Sequence, residues 1–232
     1  MDNVAIVTGG SSGLGYQISK ELLARGYSVI IIGRNPEKLE LAKTNLLADG
    51  DGMLQWFSGD ISDEAFVNSF FEYLHSKQYD VKYLFNCAGE GRFGPAEDNN
   101  IEKINSAFSA SLIGLILMSS RSIGLMKESG GTIVNIMSTA ALKGNPNESI
   151  YCAAKWGARG FTEAIKAAMK GTSVKVVSVF PGGMNTPFWS PECGMSPNVE
   201  KFMDPAEVAE AIVNAVVDRR SMYVSEITID RK

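Results

Sequence analysis

Short β-branched runs recur along this chain, each followed by a longer segment of helical period. VAIVT (4–8) precedes a helix over 13–25, YSVIII (27–32) one over 36–48, MLQWFS (53–58) one over 63–77, and VKYLFN (81–86) one over roughly 97–128. TIVNIMS (132–138), a helix at about 150–170, VKVVSVF (174–180), a helix over 205–219 and a last strand near MYVSEITI (222–229) complete the series. Strands apolar on both faces can leave neither face in water, so they pair in parallel and are covered by helices on both sides. The expected fold is α/β, doubly wound, with a seven-stranded parallel sheet flanked by helices. No repeat or linker breaks the pattern, and 232 residues suit a single domain over 1–232.

The composition narrows the partners. A net charge of −4 offers no basic field for nucleic acid or anionic lipid. No apolar run reaches the roughly 18 residues of a bilayer span, and SLIGLILM (111–118) is too short. MDNVAIVTGG lacks a basic region ahead of an apolar core, so a secretory signal is not expected. Cys87, Cys152 and Cys193 are odd in number and far apart, which suits reduced thiols and a cytoplasmic setting. His75, the single histidine, sits in the polar end of FEYLHSK and has no companion for a metal site. Proton transfer must then use another group.

In such sheets ligands bind at the carboxyl ends of the strands, and the unusual residues cluster there. After the first strand comes TGGSSGLG: Thr8, Gly9, Ser11, Ser12, Gly13, Leu14 and Gly15 form a glycine turn opening a helix. Glycine permits a tight turn and close approach to a pyrophosphate, whose charge meets helix amides. That makes the domain Rossmann-like. The second strand ends in Gly33, Arg34 and Asn35, where an acidic residue would hold an NAD ribose. Arg34 suits the 2′-phosphate of NADP, with no nearby carboxylate to repel it, or is a solvated loop residue. NADP (NADPH) is the expected cofactor, ahead of NAD. Asp60, followed by Ile61, either accepts from an adenine amino group or is a turn residue. Asn86, Ala88 and Gly89 of NCAG let backbone pass close to the cofactor; Pro181, Gly182 and Thr186 reach toward its carboxamide end. In YCAAK, Tyr151 and Lys155 are one helical turn apart and share a face.

TGGSSGLG, GDI, NCAG, the strand end at Ser138, YCAAK and the PG…T turn occur in an order and spacing that resembles the short-chain dehydrogenase/reductase family, in its compact single-domain branch. The resemblance covers essentially the whole chain. It implies Tyr151 as catalytic acid or base, Lys155 holding the nicotinamide ribose and lowering the tyrosine pKa, and Ser138 bonding the substrate oxygen. Relatives carry asparagine in an NLxG pattern to hold a relay water. Here SLIG puts Ser111 at that place, either as a shorter substitute or as part of a small-residue packing face with Ser106, Ala107, Ser109, Ala110 and Gly114.

The implied activity is an NADPH-dependent carbonyl reductase, reversible as an alcohol dehydrogenase, acting on a small or medium apolar ketone or aldehyde. An NAD-dependent alcohol dehydrogenase and a non-catalytic NADP(H)-binding regulatory protein are the rivals. Helices 103–128 and 150–170 are richer in small and apolar residues than one buried face needs, which fits a homodimer or homotetramer. The long segment 182–204 suits a substrate lid. Its Met184, Phe188, Trp189, Met195, Phe202 and Met203 either line an apolar pocket or pack the loop down. Arg92 and Phe93 of GEGRFGPAED either touch substrate or face solvent.

Overall fold

The structure, a computed structural model, describes residues 3–48 and 52–232. The first two residues of the amino-terminal segment considered above therefore lie outside the described residues. Among the described residues, seven strands form one parallel sheet in the order β3-β2-β1-β4-β5-β6-β7. They are β1 Val4–Thr8, β2 Ser28–Gly33, β3 Leu54–Ser58, β4 Val81–Asn86, β5 Gly131–Ile136, β6 Val174–Pro181 and β7 Glu226–Ile229. The intervening helices are α1 Gly13–Ala24, α2 Pro36–Leu47, α3 Glu64–Ser76, α4 Ile101–Phe108, α5 Leu115–Met126, α6 Ser149–Ala168 and α7 Pro205–Val216.

Alternation along each strand divides the core. Ala5 and Val7 face one way with Val29, Ile31, Val134 and Val177, under α1, α2 and α7. Val4, Ile6, Ile30 and Ile32 face the other way, under Phe70 and Leu74 of α3 and Met118 and Met126 of α5. Burial on both sides is why these strands show unbroken apolar runs. Helix starts are set by short polar side chains: Asn35 accepts from the Lys38 amide ahead of Pro36, and Asp63 and Asp204 cap α3 and α7 in the same way.

Two elements differ from expectation. The last strand is only Glu226–Ile229: pairing with β6 begins at Glu226, and Met222 and Tyr223 stand exposed ahead of it. The single helix expected over 97–128 is interrupted by a π-helical turn at Ser109–Gly114, and small residues decide how closely that turn packs. A Cβ on Gly114 would lie 2.4 Å from Ile61, so the turn rests directly on the loop after β3. Ile101–Met126 is long enough and apolar enough by composition to cross a membrane, with mean hydropathy 1.4; its α5 part packs against β4 and β5.

β1 and β4 are neighbours from which the chain winds away in opposite directions, so a crevice opens at their carboxyl ends. A buried polar chain ties its floor together. Asn86 Nδ2 donates to Asn135 Oδ1 at 2.8 Å and to Ser119 Oγ at 3.0 Å, and Asn135 Nδ2 donates to Thr162 Oγ1 at 2.9 Å. β4, β5, α5 and α6 are thereby held in register, and with them the loops that carry Gly89, Ser138 and Tyr151.

Candidate active site

A cleft of about 850 Å³ runs along the carboxyl ends of β1, β4, β5 and β6. Its floor at one end is the glycine turn, where Gly9 and Gly13 have φ of +68° and +53°. Ser12 precedes α1 without making a side-chain cap, and no acidic residue lies in the first turn. The opening amides of α1 are thus free to meet an anion, and the dipole favours one. Thr186, after β6, lies 3.3 Å from where a Cβ on Gly13 would stand, closing the cleft from the other side. Bare amides, close backbone and a facing threonine fit a dinucleotide pyrophosphate.

Of the residues expected to bind cofactor, Gly9, Ser12, Gly13, Leu14, Gly15, Arg34, Ala88, Gly89, Pro181, Gly182 and Thr186 line this cleft. The others do not. Thr8 is buried, its Oγ1 accepting from the Cys87 and Ala88 amides, so it shapes the NCAG turn from beneath. Ser11 lies against Gly33 at the end of β2. Asn35 spends its side chain as the α2 cap, and Asn86 spends its amide nitrogen in the buried network. Asp60 Oδ1 accepts from the Ser62 amide and hydroxyl, which is the turn role, and Ile61 is buried under Gly114.

Ser138, Tyr151 and Lys155 converge at the inner end of the cleft. Ser138 Oγ accepts from the Ala140 amide at 3.1 Å, which fixes the side chain and leaves its proton free to donate. Tyr151 lies within hydrogen-bonding reach of Ser138. Lys155, on the next turn of α6, places Nζ 5.8 Å from the Tyr151 ring centre and donates to the Ile136 carbonyl at 3.2 Å. Ser111 is fully buried on the π turn, and its Oγ accepts from the Glu90 amide at 3.3 Å. A Cβ on Gly89 would lie 3.4 Å from both Lys155 Nζ and Ser111 Oγ, so the lysine and the serine approach the same small space.

The expected lowering of the tyrosine pKa is not what this arrangement does. Burial pushes the Tyr151 phenol above its ordinary range, with the Ser138 hydroxyl pulling down and Glu148 and Cys152 pushing up. Burial also lowers Lys155, to about 8 against an upward pull from Cys87, so the lysine still carries its charge at neutral pH. At neutral pH the phenol is therefore held protonated.

This has a measurable consequence. A lysine whose folded pKa lies below its unfolded value leaves the unfolded chain with more bound protons between about pH 8 and pH 10.4, so stability rises with pH across that window. Tyr151 acts in the opposite sense above about pH 10, where the folded state keeps a proton that the unfolded chain loses. Urea denaturation is expected to show stability climbing by about 2 kcal/mol from pH 8 to 10 and then turning over. In Lys155→Met the climb should vanish; a flat profile in the unaltered protein would mean that Lys155 is solvated.

The wall beside Tyr151 is aromatic. Phe93 packs edge-on to it with ring centres 5.3 Å apart, Phe188 lies 5.7 Å away, and Trp189 stacks on Phe93 at 5.5 Å. Segment 182–204 contributes two of these rings. It is held by three 3₁₀ turns and by pairing of Met184 with Met203. Its apolar residues thus do both things envisaged for them: Phe188, Trp189, Met195 and Phe202 line the cleft while packing the segment down, whereas Met203 packs on the core. Arg92 also lines the cleft, donating to the Glu192 carbonyl at 2.7 Å.

Glu90 is the residue that sequence reasoning missed. Arg34 was expected to have no carboxylate near it, yet its Nη2 lies 3.3 Å from Glu90 Oε2. The two are 56 positions apart. Nothing in GEGRFGPAED signals, in sequence, that one of its side chains reaches across to the end of the second strand.

Residues 3–193 match the profile of the short chain dehydrogenase family. The chain is 33% identical over 218 residues to human 3-oxoacyl-[acyl-carrier-protein] reductase and 31% identical over 220 residues to carbonyl reductase family member 4 of Danio rerio, in each case across 92% of this chain and 90% of the relative. A solved short-chain dehydrogenase/reductase from Vibrio parahaemolyticus superposes with a TM-score of 0.84 at 32% identity, covering 98% of this chain and all of that one. The chain belongs to the short-chain dehydrogenase/reductase family and is an NAD(P)-dependent oxidoreductase of that class.

Proposed function

We propose that this protein is an NADPH-dependent carbonyl reductase, reversible as an alcohol dehydrogenase, acting on a small or medium apolar ketone or aldehyde. The observation that carries this reading is a buried Tyr151 lining the cleft with Ser138 and Lys155, set into an aromatic wall at the end of a cleft floored by the glycine turn. When bound there, the cofactor supplies the hydride. Ser138 and Tyr151 donate to the carbonyl oxygen of the substrate, and Tyr151 gives up its proton to it. The Lys155 ammonium holds the cofactor ribose. Ser111, with a hydroxyl proton to donate beside Lys155, takes part in resupplying the phenol.

The aromatic wall supports an apolar substrate, and the 182–204 segment is its lid. Two relatives carry the word reductase with a carbonyl or oxoacyl group in their names, which agrees with the direction proposed. Arg34, two-thirds exposed at the cleft edge, receives the 2′-phosphate. The whole chain acts as one domain, in the cytoplasm, with its three cysteines free. On α6, Ala153, Trp156 and Gly160 are exposed, as is Ile113 of the π turn that meets α6 at Gly157, and the protein pairs through these two elements as a homodimer or homotetramer.

Oxidation of NADPH and of NADH against a panel of ketones and aldehydes tests this. Turnover is expected with apolar carbonyls, with kcat/KM for NADPH at least about tenfold above NADH, and Arg34→Ala should remove most of the difference. The same preparation should sediment as a dimer or larger. A preference for NADH, or no turnover with any carbonyl, would refute the reading.

A further inference from the structure

Arg34 follows β2 and Glu90 follows β4, while β1 lies between those strands. An ion pair between them must therefore pass over the carboxyl end of β1, where the glycine turn sits. Arg34 Nη2 and Glu90 Oε2 make that span at 3.3 Å. The Glu90 side chain is not loose: Oε1 accepts from Ser106 Oγ at 2.8 Å and pairs with Arg92, while the backbone amide donates to Ser111. Arg92 is anchored in turn on the Glu192 carbonyl of the lid. Arg34 is the exposed, movable member of the pair, with 68% of its side chain accessible against 20% for Glu90.

We infer that Glu90 is a specificity-determining residue that competes with the cofactor's 2′-phosphate for Arg34 and so moderates the preference for NADP(H) over NAD(H). The inference rests on the assignment of Arg34 to the 2′-phosphate. A guanidinium that turns toward a phosphate leaves behind a carboxylate held in place by Ser106 and Arg92, so the phosphate draws Arg34 away from a fixed competing anion. A cofactor with a plain 2′-hydroxyl brings no second anion and meets no such competition. Opening the pair burdens both cofactors alike; the residual repulsion falls on NADP(H) alone.

Calorimetric titration with adenosine 2′,5′-bisphosphate and adenosine 5′-monophosphate reads the effect without catalysis. Glu90→Gln keeps the shape and the Ser106 bond but removes the charge. It is expected to tighten the bisphosphate about three- to fivefold, the range of an exposed ion pair, and the monophosphate by less than about twofold. Glu90→Asp, which withdraws the carboxylate from Arg34, should move the ratio in the same direction if Glu90→Gln does not fold. Equal tightening of both ligands, or weaker bisphosphate binding, would overturn the inference. Lack of any bisphosphate preference in the unaltered protein would refute the NADPH reading instead, while a preference appearing in Glu90→Gln would still support the role of Glu90.

Discussion

Tyr151→Phe is expected to lower turnover by about 10²- to 10⁴-fold while leaving cofactor affinity within about twofold. The phenol is enclosed by Phe93 and Phe188, so burial keeps its proton on at neutral pH, and Ser138 orients it. His75, on the exposed end of α3, does not line the cleft and so provides no substitute acid. Phenylalanine fills the same space, so loss of the hydroxyl should cost only about 1 kcal/mol of stability. NADPH consumption under saturating substrate, together with quenching of tryptophan fluorescence by NADPH, separates chemistry from binding. A variant that retains its rate would show that the proton comes from elsewhere.

Gly15→Ala is expected to act on the opposite end of the cleft. A Cβ there would stand 2.5 Å from the Gly9 carbonyl oxygen, 2.9 Å from its carbon and 3.2 Å from the Gly10 nitrogen. All three are backbone atoms of the glycine turn, so no side chain can swing aside; α1 or the turn must move. Such overpacking costs about 1–3 kcal/mol. Because the displaced atoms belong to the turn whose amides meet the pyrophosphate, NADPH affinity should fall by more than about tenfold. Gly124→Ala on α5, where a Cβ would meet nothing within 4 Å, should instead be neutral or gain up to about 1 kcal/mol. Thermal melting with and without NADPH distinguishes the two, and equal behaviour would mean that the turn yields freely.

Much of this site was legible because its parts are local. A glycine turn following a strand, Ser138 at a strand end, and a tyrosine and lysine four apart on a helix each declare their position through short-range geometry. The parallel order then brings strand ends to one side of the sheet, and the cleft follows. Residues such as Thr8 and Asn86 carry the same sequence signal as their neighbours, yet their side chains turn inward to brace loops and strands. Neighbourhood in sequence does not say which way a side chain faces at the end of a strand.

The amino-acid sequence by itself determined the α/β alternation, the glycine turn and the Tyr151–Lys155 spacing, since each depends on backbone periodicity within a few residues. Tertiary structure alone decided which way the pKa of each member of the pair moves, and the company of Arg34. The first depends on burial of Tyr151 and Lys155, and the rings of Phe93 and Phe188 that cover the phenol come from distant loops. The second depends on β1 lying between β2 and β4, which sets Glu90 across the cleft from a guanidinium 56 residues away.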